Sequence, residues 1–459
     1  MNKRPIISSF MLVALAGCQS TGTEQAPIEK NNYIPPIHTP NGLVTKEKRL
    51  KLLEEFSDDF EQATLDESKW ENAPKSLNVG AWTFAQPNAY VNDGQLVIEA
   101  TQETHTRPFK DSCWDGKAGG SAKTVERTLY YKSGAVRSAK ETVYGYYEAK
   151  MQGVKIFPGL CPSFWMYSDG HPFPDRNDKS KQYVDYSEID IVELQQADWR
   201  APGDEDDVYD MDLNLHARVE ENGRIVWKRP KPNKATQFNH YRAPFDPSKG
   251  FHTYAVENRK DKITWYVDGV KVAEKPNTWW HRPMHVIFSM GLRRKFIKYN
   301  PACQRADPNP DYVVKEGYPE DARMRVDYVR GWEVLPSIWL DHSSKQLKSI
   351  KYTTSDTLSV KLHYHGGSNY HVASPITVSL VERTDDKIIQ TIQTQQEPSV
   401  TSEDKRYGGE LEVKLNLQAA KPLSRLANGH YYALQASFKS SNGETISLLG
   451  EPVRINVSK

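Results

Sequence analysis

Long apolar runs are scarce in this chain of 459 residues. No internal stretch reaches the roughly 20 apolar residues of a membrane-spanning helix. An excess of one charge is missing as well: 60 Lys and Arg face 59 Asp and Glu, for a formal net charge of +1. That balance excludes nucleic-acid binding through bulk charge and leaves local basic patches open. Long helical periodicity is also missing, which points away from a helical architecture. What the chain does have is aromatic side chains, 11% of the residues within a hydrophobic total of 38%. This composition suits a globular, β-rich protein, and the length leaves room for two domains of roughly 100–200 residues each.

The N-terminus is distinctive. Lys3 and Arg4 precede the run "IISSFMLVALAGC", too short to span a membrane and read as a secretory signal over residues 1–18. It ends in Leu15-Ala16-Gly17-Cys18, which resembles a bacterial lipobox, where the cysteine becomes the lipidated first residue. Gln19 stands where Asp commonly signals inner-membrane retention, so the expectation is a lipid anchor on the outer membrane, surface or periplasmic side. Residues 19–50 are polar and Pro-rich, a flexible tether. Export permits a disulfide. Cys113 ("FKDSCWDG") and Cys303 ("YNPACQRADPNP") lie in polar, loop-like segments and are paired here. Cys161, beside an apolar run, is expected as a buried free thiol.

Residues 51–336 carry many short β-type runs separated by Gly, Asn, Asp and Pro, such as "GQLVIEAT", "YGYYEAKMQG" and "MRVDYVRGWEVL". "TWYVDGVKVAE" signals a hairpin turning at Asp268-Gly269. An all-β sandwich or jelly roll follows. After a junction at "LPSIWLDHSSKQLKS", residues 340–459 hold six or seven further short strands, the length and spacing of a smaller immunoglobulin-like β-sandwich. Nothing in it resembles a catalytic constellation; spacer and glycan-binding roles both remain open.

"YSEIDIVELQQ", residues 186–196, sets Glu188, Asp190 and Glu193 among Ile189, Ile191 and Val192. In a regular strand Glu188 and Asp190 share a face and Glu193 points the other way. One extra residue at Ile191-Val192, a β-bulge, returns Glu193 to the first face and leaves the aliphatic residues facing the core. Three clustered acids cannot all ionise cheaply, so at least one pKa rises and places a proton donor beside a nucleophile. A calcium site usually draws on an Asp/Asn-rich loop; these acids sit in an apolar strand, which favours catalysis.

The pattern Glu188-x-Asp190-x-x-Glu193 resembles the bulged active-site signature of family 16 glycoside hydrolases. The similarity extends through "YYKSGAVRSAKETVYGYYEAKMQG", "FPGLCPSFWMYS", "WWHRPMHVIFSMGLR" and "MRVDYVRGWEVL", and looks most like the kappa-carrageenases. The resemblance implies a two-sheet β-jelly roll (a concanavalin-like sandwich) with Glu188 as nucleophile, Glu193 as acid/base and Asp190 orienting the nucleophile. It implies endo-acting, retaining cleavage of β-1,4 linkages in a sulfated galactan, kappa-type carrageenan. Furcellaran, agarose or porphyran are alternative substrates, and a non-catalytic glycan-binding lipoprotein is the other alternative. No cofactor is required. Relatives often carry a structural calcium away from the site, and no dense acidic loop marks one here. A monomer without a nucleic-acid partner is expected.

By the same resemblance Trp165 is a sugar platform, with core packing as its competing reading, and Trp82 falls in a segment like the cleft rim. Arg293 in "SMGLRRKF" matches an Arg that contacts sulfate, and planar guanidinium suits that partner. Arg294, Lys295 and Lys298 extend the positive patch or form a solvated basic loop. His216 in "MDLNLHARV" falls at a cleft His position and is either a site residue or structural. At least one of Trp279 and Trp280 is expected to pack internally.

Overall fold

The computed structural model describes residues 50–458, apart from 118–119, 170–182, 196–207, 314–321, 342–346 and 348. The expected signal segment, the lipidated Cys18 and the tether up to residue 49 lie outside the described residues.

Two large sheets form the first part of the chain. One runs in the order Val270–Pro276, Lys262–Val267, His252–Asn258, Gly145–Gln152, Arg323–Val334, Gln95–Asp111, Lys123–Ser133, Thr83–Phe84. The other runs Arg224–Lys228, Leu215–Glu221, Val184–Glu193, Leu160–Tyr167, His285–Leu292, Ala135–Ser138, Trp70–Asn72. Side chains of both sheets meet in one apolar core that includes Ile98, Met151, Phe164, Ile189, Val256 and Phe288. This is the expected two-sheet jelly roll. The expected hairpin is present, with Val267 opposite Val270 across a two-residue turn. Asp268 and Gly269 both take positive φ, 46° and 77°, the mirror-image turn that matches strand twist.

The second part has its own core and two sheets. Ser337–Leu340, Thr357–His365 and Gly408–Asn416 form one; Lys351–Tyr352, Arg454–Val457, Tyr431–Lys439, Ile376–Arg383 and Ile388–Glu397 order the other. Alternation drives it: Leu358, Val360 and Leu362 are buried while Thr357, Ser359 and Lys361 are exposed. Ser337–Leu340 pairs with Thr357–His365, so the junction falls just after Val334, slightly ahead of residue 340. A buried hydrogen bond between His365 Nε2 and Glu257 Oε1, 2.7 Å long, ties this part to the jelly roll.

Cys113 and Cys303 form the expected disulfide across 190 residues of chain, and Cys161 is a buried free thiol. The disulfide joins the hairpin Gln95–Asp111/Lys123–Ser133 to the segment between Ile297–Asn300 and Arg305–Pro308. Closing so long a loop restricts the unfolded chain, so replacing both cysteines by Ala is expected to cost about 2–5 kcal/mol. Thermal unfolding of the double variant beside wild type measures this. An unchanged midpoint would mean that the link adds no stability.

Candidate active site

The strand Val184–Glu193 lies in the interior of its sheet, between Leu215–Glu221 and Leu160–Tyr167, and its register breaks where the sequence requires. Asp190 pairs opposite Trp165 and Val192 opposite Phe164, so Ile191 is the extra residue of a bulge. Glu193 thereby returns to the face of Glu188 and Asp190. Ile189, Ile191 and Val192 are at most 1% exposed and belong to the core beneath.

Two tryptophans hold the strand from the core side. The Trp265 indole N–H donates to the Asp190 carbonyl at 2.9 Å. The Trp280 indole N–H donates to the carbonyls of Glu188 and His216, at 2.9 and 3.1 Å. Trp280 is thus the internally packed member of its pair, fully buried beside a half-buried Trp279.

Each acid has its own partner. The Tyr186 hydroxyl donates to Glu188 Oε2. His216, paired opposite Glu188 on the next strand, brings Nε2 to 3.7 Å from Glu188 Oε1 and 3.3 Å from Asp190 Oδ2. Arg293 Nη2 donates to Glu193 Oε1 at 2.5 Å, and the Cys161 thiol lies 3.8 Å from the same oxygen. Trp165 stands opposite Asp190, half-buried, its N–H donating to Ser289 Oγ at 3.0 Å and its ring 5.2 Å from that of Tyr167.

Burial, then the charges of Glu193 and Glu188, push Asp190 well above the usual carboxylate range, against the opposing pull of His216. Burial also raises Glu193, helped by Asp212 and Glu188 and opposed by the Arg293 guanidinium. Burial would lower His216, but Glu188 and Asp190 outweigh it and lift the imidazole to about 9. Donor atoms of Glu188, Asp190 and His216 lie within 4.8 Å of one another, a spacing that suits a cation. An imidazole protonated at neutral pH offers no lone pair, so His216 acts here as the balancing cation itself. The site therefore holds three carboxyls: burial pushes Asp190 and Glu193 toward the protonated form, His216 sits beside Glu188 and Asp190, and Arg293 opposes that push on Glu193.

A family description, "Beta-porphyranase A-D, GH16 domain", matches residues 50–334. The chain belongs to glycoside hydrolase family 16. It is 39% identical over 299 residues to the kappa-carrageenase of Pseudoalteromonas carrageenovora, covering 65% of this chain and 67% of that protein. It is 26% identical over 294 residues to beta-porphyranase B of Zobellia galactanivorans, covering 62% and 86%. Among solved structures, the Pseudoalteromonas kappa-carrageenase in complex with an oligotetrasaccharide of kappa-carrageenan superposes with a TM-score of 0.53 at 38% identity, covering 65% of this chain and 98% of that one.

Beside Glu193 this family 16 hydrolase has a cavity of about 470 Å³, lined among others by Trp82, His216, Arg229, Lys231 and Arg293. Trp82, expected in a segment like the cleft rim, lines this cavity. It is 7% exposed, edge-on to Phe84 at 5.8 Å and part of the core cluster, so its ring is a cavity wall. Its indole N–H is buried and without a hydrogen-bond partner among the described residues. Arg294, Lys295 and Lys298 are not among the cavity's lining residues; Lys298 pairs with Asp311 at 3.2 Å.

Sequence reasoning missed Tyr186, Arg218, Trp227, Arg229 and Asp212. Tyr186 pairs opposite Arg218 and Arg218 opposite Trp227, on the face of Glu188 and His216. The Arg218 guanidinium carbon lies 5.3 Å from both rings, and Trp227 is 44% exposed. The parity of Tyr186 with Glu188 was a usable signal. Trp227 and Arg229 had none, because the strand Arg224–Lys228, which carries Trp227 and leads into Arg229, is placed only by pairing.

The His216 shift has a consequence for stability. Its folded pKa, about 9, lies above the ordinary 6.5, so its contribution is complete below the unfolded value and is lost as pH rises through the folded one. Wild type should therefore lose stability between about pH 6.5 and 9, and His216→Gln should flatten that slope. Chemical denaturation across the range tests this; equal slopes in both proteins would contradict it.

Proposed function

We propose that this hydrolase is an endo-acting, retaining enzyme that cleaves β-1,4 linkages in kappa-type carrageenan. The supporting observation is a cationic cavity, with Arg229, Lys231 and Arg293, directly beside a bulged strand carrying three acids. A neutral galactan has no need of those cations; a sulfate ester does. The relative with 39% identity, a kappa-carrageenase, supports the same substrate.

Glu188 is the nucleophile in this reading. Tyr186 and His216 hold its two oxygens, which orients it toward the anomeric carbon and steadies its charge. Glu193, raised by burial, gives its proton to the leaving sugar oxygen as the glycosyl–Glu188 bond forms. It then takes a proton from the water that breaks that bond. Asp190, hydrogen-bonding distance from His216, orients the nucleophile through that imidazolium. Trp165 offers a ring for sugar stacking, and Arg293 grips a sulfate ester. The porphyranase description of the family match favours porphyran as the second reading. Lipidation of Cys18 and residence on the outer membrane are proposed from the Leu15-Ala16-Gly17-Cys18 motif alone.

A reducing-end assay on kappa-carrageenan, furcellaran, agarose and porphyran tests the substrate; preference for a neutral galactan would overturn it. Glu188→Gln and Glu193→Gln should each abolish hydrolysis with the fold intact by circular dichroism. Azide should rescue Glu188→Gly and give product of inverted configuration. Near wild-type activity in Glu188→Gln would remove Glu188 as nucleophile. Arg293→Ala should lower kcat/KM on kappa-carrageenan by about one to two orders of magnitude, the loss of a charge-assisted contact worth roughly 1.5–3 kcal/mol.

A further inference from the structure

Arg293 is asked to do two things with one guanidinium. In the structure its Nη2 is bonded to Glu193 Oε1 at 2.5 Å, with both side chains 20% exposed. In the proposed reaction the same guanidinium meets a sulfate ester, while Glu193 must carry a proton. A carboxylic acid and a guanidinium-bound carboxylate are opposite states of one group. We propose that substrate drives the change between them: the sulfate ester takes Arg293 from Glu193, and the released Glu193 binds the proton that it then gives to the leaving oxygen. This inference rests on the kappa-carrageenan reading and adds substrate-dependent activation to it.

The surroundings of Glu193 determine the direction. On its own strand it faces Glu188 and Asp190; Asp212 lies opposite on Asp210–Asp212, and His216 on Leu215–Glu221. Cys161 approaches from Leu160–Tyr167, and Arg229 and Lys231 line the cavity wall. Among the described residues, Arg293 is the cation in direct contact with the carboxylate. With it withdrawn, burial and the Asp212 and Glu188 charges act on Glu193 with less opposition, and His216 is engaged with Glu188 and Asp190. The balance is simple. One proton enters from water as Arg293 leaves, passes to the glycosidic oxygen as that C–O bond breaks, and the Glu193 carboxylate then takes a proton from the attacking water. That proton returns to solvent when product leaves and Arg293 comes back to Glu193. The exchange also gives the site a means of discrimination: a chain lacking the sulfate leaves Arg293 on Glu193 and the acid ionised.

The pH dependence of the wild-type enzyme tests this. The basic limb of kcat/KM reports the acid in free enzyme, and that of kcat reports it in the complex. On kappa-carrageenan oligosaccharides the kcat limb should lie at higher pH than the kcat/KM limb, by about one pH unit or more. On the chemically desulfated oligosaccharide the two limbs should coincide at the lower value. In Arg293→Ala the kcat/KM limb should move up and become independent of sulfate, a shift that loss of sulfate affinity alone does not produce. Coincident limbs on the sulfated substrate, or an unmoved limb in Arg293→Ala, would overturn the exchange while leaving the substrate assignment in place. Failure to cleave the sulfated chain at all would overturn both.

Discussion

Between Asp190 and Val192 the strand carries one residue more than its neighbour, and the chemistry of the site follows from that misfit. Without Ile191 in the bulge, Glu193 would point into a core made of Phe164, Met166 and Val286, where an unpaired carboxylate is strongly disfavoured. With it, three aliphatic residues fill the core and three acids share the opposite face. The bulge is in turn held by side chains from elsewhere: Trp265 and Trp280 bind the carbonyls of Asp190 and Glu188 from beneath. A buried indole that lost such an acceptor would leave unsatisfied polar groups on both sides, so the tryptophans fix the backbone whose side chains face the substrate.

Placing acids together creates an electrostatic cost that the structure meets locally. His216 sits between Glu188 and Asp190, and Arg293 sits on Glu193. His216 serves Glu188 and Asp190 and Arg293 serves Glu193, so the outer two acids become chemically distinct although they lie on one strand. Buried acids with unlike partners acquire unlike proton affinities, and two-step displacement depends on that difference. His216 and the acids come from neighbouring strands of one sheet, and Arg293 follows directly on the end of a third, His285–Leu292, so paired backbone sets most of these distances.

Much of the architecture is local in origin and was legible in the chain. Thr357–His365 alternates apolar and polar residues and is a strand with alternate burial. Asp268-Gly269 can take positive φ and does. The face shared by Glu188, Asp190 and Glu193 follows from side-chain parity plus one bulge, both properties of a single segment. The Cys113–Cys303 link followed from the polar setting of two thiols and the apolar setting of the third. Other assignments needed the partner strand. The sequence places Trp82 near the cleft, but only the fold shows that its ring packs on Phe84 and walls the cavity. Trp227 and Arg229 give no sign of the site until Arg224–Lys228 pairs with Leu215–Glu221.

The sequence by itself determined which faces are apolar, where strands turn, and that three acids lie together, because periodicity and turn chemistry act over a few neighbouring residues. Only the tertiary structure decided what those acids touch. Arg293 stands 100 residues from Glu193, and Trp280 stands 92 from Glu188. Which distant strand comes alongside, and in what register, depends on how the whole core packs, and so does the charge that each carboxyl finally carries.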